Sequence, residues 1–265
     1  MVSMSVGLHA AAAVTAALAP GTMGWALGAV ALNHVALTGA GLQPRSALLG
    51  PNLSRLPAAA ASRGAFALTI DDGPDAQVTP AVLDLLDTLG VRATFFCIAE
   101  RARAHAVLTR AIVERGHDVQ NHSLHHSHYF SLLGPRTLRR ELGQAQQVLA
   151  DITGRQPHCF RAPAGLRNPF LDPVLHRLGL QLVSWTRRGF DTRVGNPQRV
   201  LASLTRELAR GDILLLHDGH ARRTPGGAAV LLEVLPQLVG RCHAAGLHGE
   251  TLAEAVPRRS VGQVA

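Results

Sequence analysis

Asp71-Asp72-Gly73-Pro74 sets two carboxylates side by side, and His122-Ser-Leu-His-His126 sets two imidazoles four residues apart. Arg161, Asp191 and His217-Asp218 follow in three later segments. These residue types serve general acid–base chemistry and metal ligation. Adjacent carboxylates repel unless a cation or guanidinium lies between them. A metal on one and Arg161 on the other would relieve that conflict. Two histidines four apart share one face of a helical turn and can hold one metal. The stretch is crowded, since His117, His122, His125, His126 and His128 all fall within 12 residues. Pairings of His122 with His126, of His125 with His128 and of His122 with His125 are therefore all open.

Such residues need a scaffold that brings distant segments together. Short apolar runs predict strands over Phe66–Ile70, Ala93–Ile98, Asp118–Asn121, His158–Arg161, Gln181–Trp185, Asp212–Leu216 and Leu247–Leu252. Amphipathic stretches lie between them. Asn196-Pro197 and Thr79-Pro80 each read as a helix start, with a cap followed by proline in the first turn. Gly90, Gly154 and Gly211 read as helix stops. Strand–helix alternation predicts parallel strands with crossover helices. Seven such strands suit an α/β, distorted (β/α)7 TIM-like barrel, in which chemistry gathers at the C-terminal strand ends. The acids, the arginine and the imidazoles fall at or just beyond those ends.

The chain has 265 residues and a formal charge of +8, carried entirely by arginine. The arginines are scattered and not interleaved with aromatics, so no nucleic-acid partner is expected. Cys97, Cys159 and Cys242 form neither a disulfide framework nor a cysteine-rich metal site, and lean toward a reducing compartment. Residues 1–44 contain no Asp, Glu, Lys or Arg. A membrane anchor or membrane hairpin, an export signal, and a buried helical pair are the readings of this apolar segment. The basic start of a signal peptide is missing, and a span needs about 20 apolar residues. Membrane association through residues 1–44 is expected. Arg45, Arg55 and Arg63 then favour a cytoplasmic main domain over a periplasmic one. Residues 45–63 are expected to be a linker, 64–256 the catalytic domain and 257–265 a tail.

Five segments in order resemble one known family. Thr69-Ile-Asp-Asp-Gly-Pro74 is similar to the first signature of the polysaccharide deacetylases (carbohydrate esterase family four, the NodB homology domain), and Asn121-His-Ser-Leu-His-His126 to the second. Phe160-Arg-Ala-Pro-Ala-Gly165, Trp185 with Asp191, and Leu215-Leu-His217 resemble the remaining three. The resemblance implies the NodB homology fold. It implies Asp71 as catalytic base, Arg161 as the residue orienting it, His217 as general acid and Asp191 as its partner. Asp72, His122 and His126 become the ligands of a divalent metal, zinc first, with Co2+ or another divalent ion as alternatives. Pro163, Ala164, Gly165 and Leu215 fall to substrate and oxyanion contacts. The family's usual tyrosine is replaced by Ala164, and the aromatic after the fourth-motif aspartate by Thr192. Both changes thin the aromatic wall of the groove, which Trp185, Tyr129 or Phe130 would have to restore.

The implied activity is hydrolytic removal of N-acetyl groups from an amino sugar in a polysaccharide or glycoconjugate. A deacetylase or deformylase of a lipid-linked sugar and a catalytically silent glycan-binding protein are the alternatives.

Overall fold

A computed structural model describes residues 2–258. Two helices, α1 (Val2–Leu18) and α2 (Met23–Gly41), and the short α3 (Ala58–Ser62) come first. Strands and helices then alternate: β1 (Ala65–Asp71), α4 (Thr79–Leu89), β2 (Thr94–Cys97), α5 (Ala99–Ala104), α6 (Ala106–Glu114) and β3 (Asp118–Asn121). Next come α7 (Pro135–Thr153), β4 (Cys159–Phe160), α8 (Leu171–Arg177), β5 (Gln181–Leu182) and β6 (Arg187–Arg188). The chain closes with α9 (Pro197–Thr205), β7 (Ile213–His217), α10 (Val230–Ala244), β8 (His248–Gly249) and α11 (Leu252–Ala255).

All strand pairs are parallel, in the order β5-β4-β3-β2-β1-β7-β6, with β8 beside the start of β1. Each residue of β1 is buried, the pattern of a parallel strand covered on both faces. Register aligns the strand ends. Asp71 lies opposite Phe96 and His217, Cys97 opposite Asn121, and Asn121 opposite Phe160. The expected α/β barrel is thus present in its distorted form, a curled sheet whose two outer strands, β5 and β6, are consecutive in sequence.

Two strands depart from the sequence expectation, and the one expected over Leu247–Leu252 pairs only at His248–Gly249 before Leu252 opens α11. The run expected over Gln181–Trp185 stops at Leu182, and the chain pairs again with β7 as β6. Leu53 of the N-terminal segment meets the chain at the break: its N–H donates to Leu182 O at 2.9 Å, and Ser184 N–H donates to Leu53 O at 2.8 Å. Leu53 so occupies the edge that a closing strand would take. The 45–63 stretch, expected as a linker, is laid against the barrel, with Leu49, Leu56 and Ala60 buried.

Local signals explain the helices. Asn196 Oδ1 accepts from Arg199 N–H at 3.0 Å, capping α9 ahead of Pro197. Gly90 and Gly154 end α4 and α7 in the left-handed conformation, with φ of 64° and 68°. Thr79 is not a cap. Its hydroxyl donates to Asp218 Oδ2 and accepts from Asp75 N–H, because the buried Asp218 carboxylate needs a donor more than the helix end does.

The expectation of membrane association, and of a cytoplasmic placement drawn from it, is overturned. Among the described residues no helix is long and apolar enough to cross a membrane. α1 has 17 residues. α2 has 19, but glycines and the polar Asn33, His34 and Thr38 dilute it. The two helices form a hairpin instead. Asn33 Nδ2 donates to Ser5 Oγ at 2.7 Å, and the His9 and His34 rings meet edge-on at 5.1 Å. Arg167 N–H donates to Gly41 O at 3.2 Å and ties the hairpin to the barrel. Residues 259–265 of the expected tail lie outside the described residues.

Leu86 on α4 is 0 % exposed within the aliphatic core that covers β1. Leu86→Ala is expected to lower the unfolding free energy by about 2–5 kcal/mol, read as a lower midpoint in urea denaturation.

Candidate active site

Arg161 is 1 % exposed, yet it carries a full charge at the barrel centre. Its Nη1 donates to Asp71 Oδ1 at 2.6 Å and to Thr69 Oγ1 at 2.8 Å. Nη2 donates to Ser184 O at 2.7 Å and Nε to Val183 O at 3.3 Å. The guanidinium also lies 4.1 Å from the Phe96 ring centroid. Burial lowers its pKa and Asp71 opposes that shift, so the charged pair persists. One oxygen of Asp71 is thereby engaged. The other, Oδ2, lies 3.9 Å from His122 Nε2 and faces the cleft.

His122 Nδ1 sits 2.8 Å from Arg161 O. A carbonyl only accepts, so Nδ1 carries the hydrogen that meets it, and Nε2 is turned toward Asp72. That Nε2 and His126 Nε2 each lie 3.2 Å from Asp72 Oδ1. Ligand atoms of Asp72, His122 and His126 all lie within 4.8 Å of one another. Lone pairs converging on a carboxylate oxygen repel unless protons or a cation lie between them. Two imidazole nitrogens and a carboxylate oxygen form the donor set of a divalent cation with an open position, so these residues fit one. Burial would raise the Asp72 carboxyl, but hydrogen bonds from His122, His126 and His220 hold it well below the usual carboxylate range.

Geometry also separates the crowded histidines. His125 turns away, its Nδ1 2.8 Å from Glu141 Oε2 and its N–H donating to Glu141 Oε1 at 2.8 Å. His117 packs on Phe95, and burial pushes its pKa down to about 4. His128 lines the cleft.

On the opposite side, His217 is bound twice by the fully buried Asp191. Its N–H donates to Oδ2 at 2.7 Å, and Nδ1 lies 2.9 Å from Oδ1. Burial lowers the imidazole pKa, but the hydrogen bond and charge of Asp191, with Asp71 and Asp72 nearby, raise it above its ordinary value. Gly73 lets the Asp71-Asp72 turn pass the Asp218 carboxylate, which a Cβ there would meet at 2.3 Å. Burial pushes Asp218 up to about 7.

Asp71, Asp72, His122, His126, Ala164, Gly165, Leu215 and His217 line one cleft of about 220 Å³. Arg161, Asp191 and Pro163 lie buried beneath it. Gly165 N–H and Leu166 N–H donate to Ala162 O and Pro163 O, whereas Ala164 N–H finds no backbone acceptor among the described residues. Of the aromatics expected to restore the groove, Trp185 lines the cleft. Tyr129 is 71 % exposed elsewhere, and Phe130 is buried against Phe160. Three residues escaped sequence reasoning. His220 Nδ1 lies 3.3 Å from Asp72 Oδ2, and Arg101 donates to Asp72 O at 2.9 Å while meeting His220 Nε2 at 2.9 Å. Arg188 borders the cleft. The repeat of histidine three positions after His217 was the available signal for His220; an arginine among so many gives none.

Removing the guanidinium would strand Asp71 in the barrel. Arg161→Met is expected to cost about 3–5 kcal/mol of unfolding free energy, seen in chemical denaturation, because an unpaired buried charge remains.

A family model described as polysaccharide deacetylase matches residues 58–183. The chain is 32% identical over 175 residues to a peptidoglycan-N-acetylglucosamine deacetylase of Bacillus cereus, covering 65% of this chain and 81% of that protein. It is 32% identical over 153 residues to a chitooligosaccharide deacetylase of Azorhizobium caulinodans, covering 57% and 72%. The solved family 4 carbohydrate esterase of Streptomyces lividans, in complex with acetate, superposes with a TM-score of 0.65 at 30% identity, covering 76% of this chain and 98% of that one. The chain therefore belongs to the polysaccharide deacetylase family, with the NodB homology fold, and is a hydrolase of carbon–nitrogen amide bonds.

Proposed function

We propose that this chain removes N-acetyl groups from the amino sugars of a polysaccharide of the peptidoglycan or chitooligosaccharide type, with a divalent cation at Asp72, His122 and His126. One observation carries the reading: that donor set shares one cleft with a carboxylate held by arginine and an imidazole held by aspartate. A cation held there, zinc first and cobalt or another divalent ion next, would acidify a water and polarise the acetamide carbonyl.

The chain's own residues supply the proton traffic. Asp71 keeps Oδ1 on Arg161 and offers Oδ2 to the water, so it takes the water's proton without swinging away. The Ala164 N–H is available to the carbonyl oxygen as negative charge develops there. An amide nitrogen leaves poorly until protonated, and His217, with Nδ1 on Asp191, has Nε2 to deliver that proton. Asp191 thus acts on the reaction through His217. His220 and Arg101 hold Asp72 from its far side, which keeps the ligand oxygen aimed.

Asp72→Ala is expected to lose stoichiometric zinc, measured by elemental analysis after dialysis, together with acetate release from acetylated chitooligosaccharide. Asp71→Asn should keep the zinc while its rate falls roughly 10²–10⁴-fold. Full turnover after exhaustive chelation would sink the cation assignment. The pH profile gives a second check. The acid form of His217 is required, so kcat/KM should fall as pH rises through its raised pKa. Asp191→Asn removes the main raising influence and should move that alkaline limb to lower pH. An unmoved limb would assign the proton to another group.

A further inference from the structure

Arg188 is a cation at the cleft that amide hydrolysis leaves unused. It ends β6, half-buried, and borders both the cleft and an adjoining groove of about 530 Å³ whose walls include Arg45, Trp185, Phe190 and Arg206. Its guanidinium is 5.3 Å from the Trp185 ring centroid and 5.2 Å from that of Phe190. Both distances suit cation–π contact. Among the described residues no carboxylate forms an ion pair with it, and its Nε is buried without a hydrogen-bond partner. The neighbouring Arg187 shows the contrast, reaching Asp212 at 3.2 Å and Glu207 at 3.6 Å.

Rings hold this guanidinium in place, and the carboxylates of Asp71, Asp191 and Asp72 act on it only from beyond ion-pair distance. A charge left half out of water with an unmet donor is costly, and such sites persist where a ligand completes them. Phe190 adds a second, independent sign. Its backbone takes φ of 57° and its ring stays 47 % exposed. A left-handed non-glycine residue is strained, and core packing does not repay it here. In that conformation the ring lies beside Arg188, and the next residue is Asp191. Arg45 and the exposed Arg206 extend the same positive character away from the cleft.

We infer that Arg188, clamped between Trp185 and Phe190, is a specificity-determining residue that receives an anionic substituent, a carboxylate or a phosphate, carried by the sugar substrate beside the acetamide being cleaved. The inference deepens the deacetylase reading and rests on it for the identity of the bound sugar. A planar guanidinium takes either oxyanion through paired N–H donors.

The test uses the zinc-loaded full chain and three acetylated substrates. One is a neutral N-acetylglucosamine oligomer. Another is a peptidoglycan glycan strand of the same length whose alternate sugars carry an O-lactyl carboxylate. The third is N-acetylglucosamine 1-phosphate. Acetate release gives kcat/KM for each. The wild type is expected to favour one anionic substrate over its neutral counterpart, and the favoured one names the carboxylate or the phosphate. Arg188→Ala should lower that anionic-to-neutral ratio at least about tenfold, mainly through KM. Arg188→Lys should restore part of it. An unchanged ratio, or a wild type without preference, overturns the inference. Should the wild type release acetate from none of the three, the deacetylase reading fails. Calorimetric titration with N-acetylmuramic acid and with N-acetylglucosamine 1-phosphate then decides Arg188 separately: binding lost in Arg188→Ala supports it, and equal binding overturns it.

Discussion

Asp71 and Arg161 are two full charges almost wholly removed from water and joined at 2.6 Å. An ion pair in that setting is favourable only when its remaining donors are also met. Thr69, Val183 and Ser184 meet them, so the pair draws β1, β4 and the segment after β5 toward one point. The same arginine reaches further through its backbone, since its carbonyl fixes the His122 ring. One residue thereby orients the carboxylate that faces the cleft and one imidazole of the cation donor set. Disturbance at Arg161 cannot be confined to a single function of the site.

Backbone strain is concentrated around this pair. Asp72, Ser123, His126, Ala164, Phe190, Glu207 and His220 are the described non-glycine residues with positive φ. Asp72, His126, Ala164 and His220 line the cleft, and Phe190 stands at its rim beside Arg188. Each such residue costs about 1–3 kcal/mol unless its surroundings impose it. The rigid strand ends supply that imposition. The turns after them are forced to project side chains inward that relaxed turns would send to solvent.

Legibility of the sequence followed the range of the interaction. The alternation of strands and helices was readable because burial on both faces leaves a continuous apolar run, as in β1. The grouping of Asp71, His122, Arg161 and His217 was readable because each adjoins such a run. The break between β5 and β6 was not, since the residue bridging there, Leu53, lies more than a hundred residues away in sequence. The uncharged residues 1–44 look alike whether they face lipid or form a hairpin. Only isolated polar groups such as Ser5 and Asn33, paired across the hairpin, separate the two. Arg188 was invisible for a compositional reason, because no single arginine stands out in a chain with 26 of them.

The seam between β5 and β6 divides the labour of the barrel. Its floor is held by β1, β3, β4 and β7, whose ladders and buried ion pair tolerate little change. The wall from Trp185 to Thr192 hangs on two short strands at the open edge, tethered by Leu53 and by β7. Trp185 and Arg188 on that wall border the opening, while Asp191 near its end holds His217. On this plan the wall of the opening hangs on the edge of the sheet, while Asp71, His122 and Arg161 stand at the ends of its inner ladders.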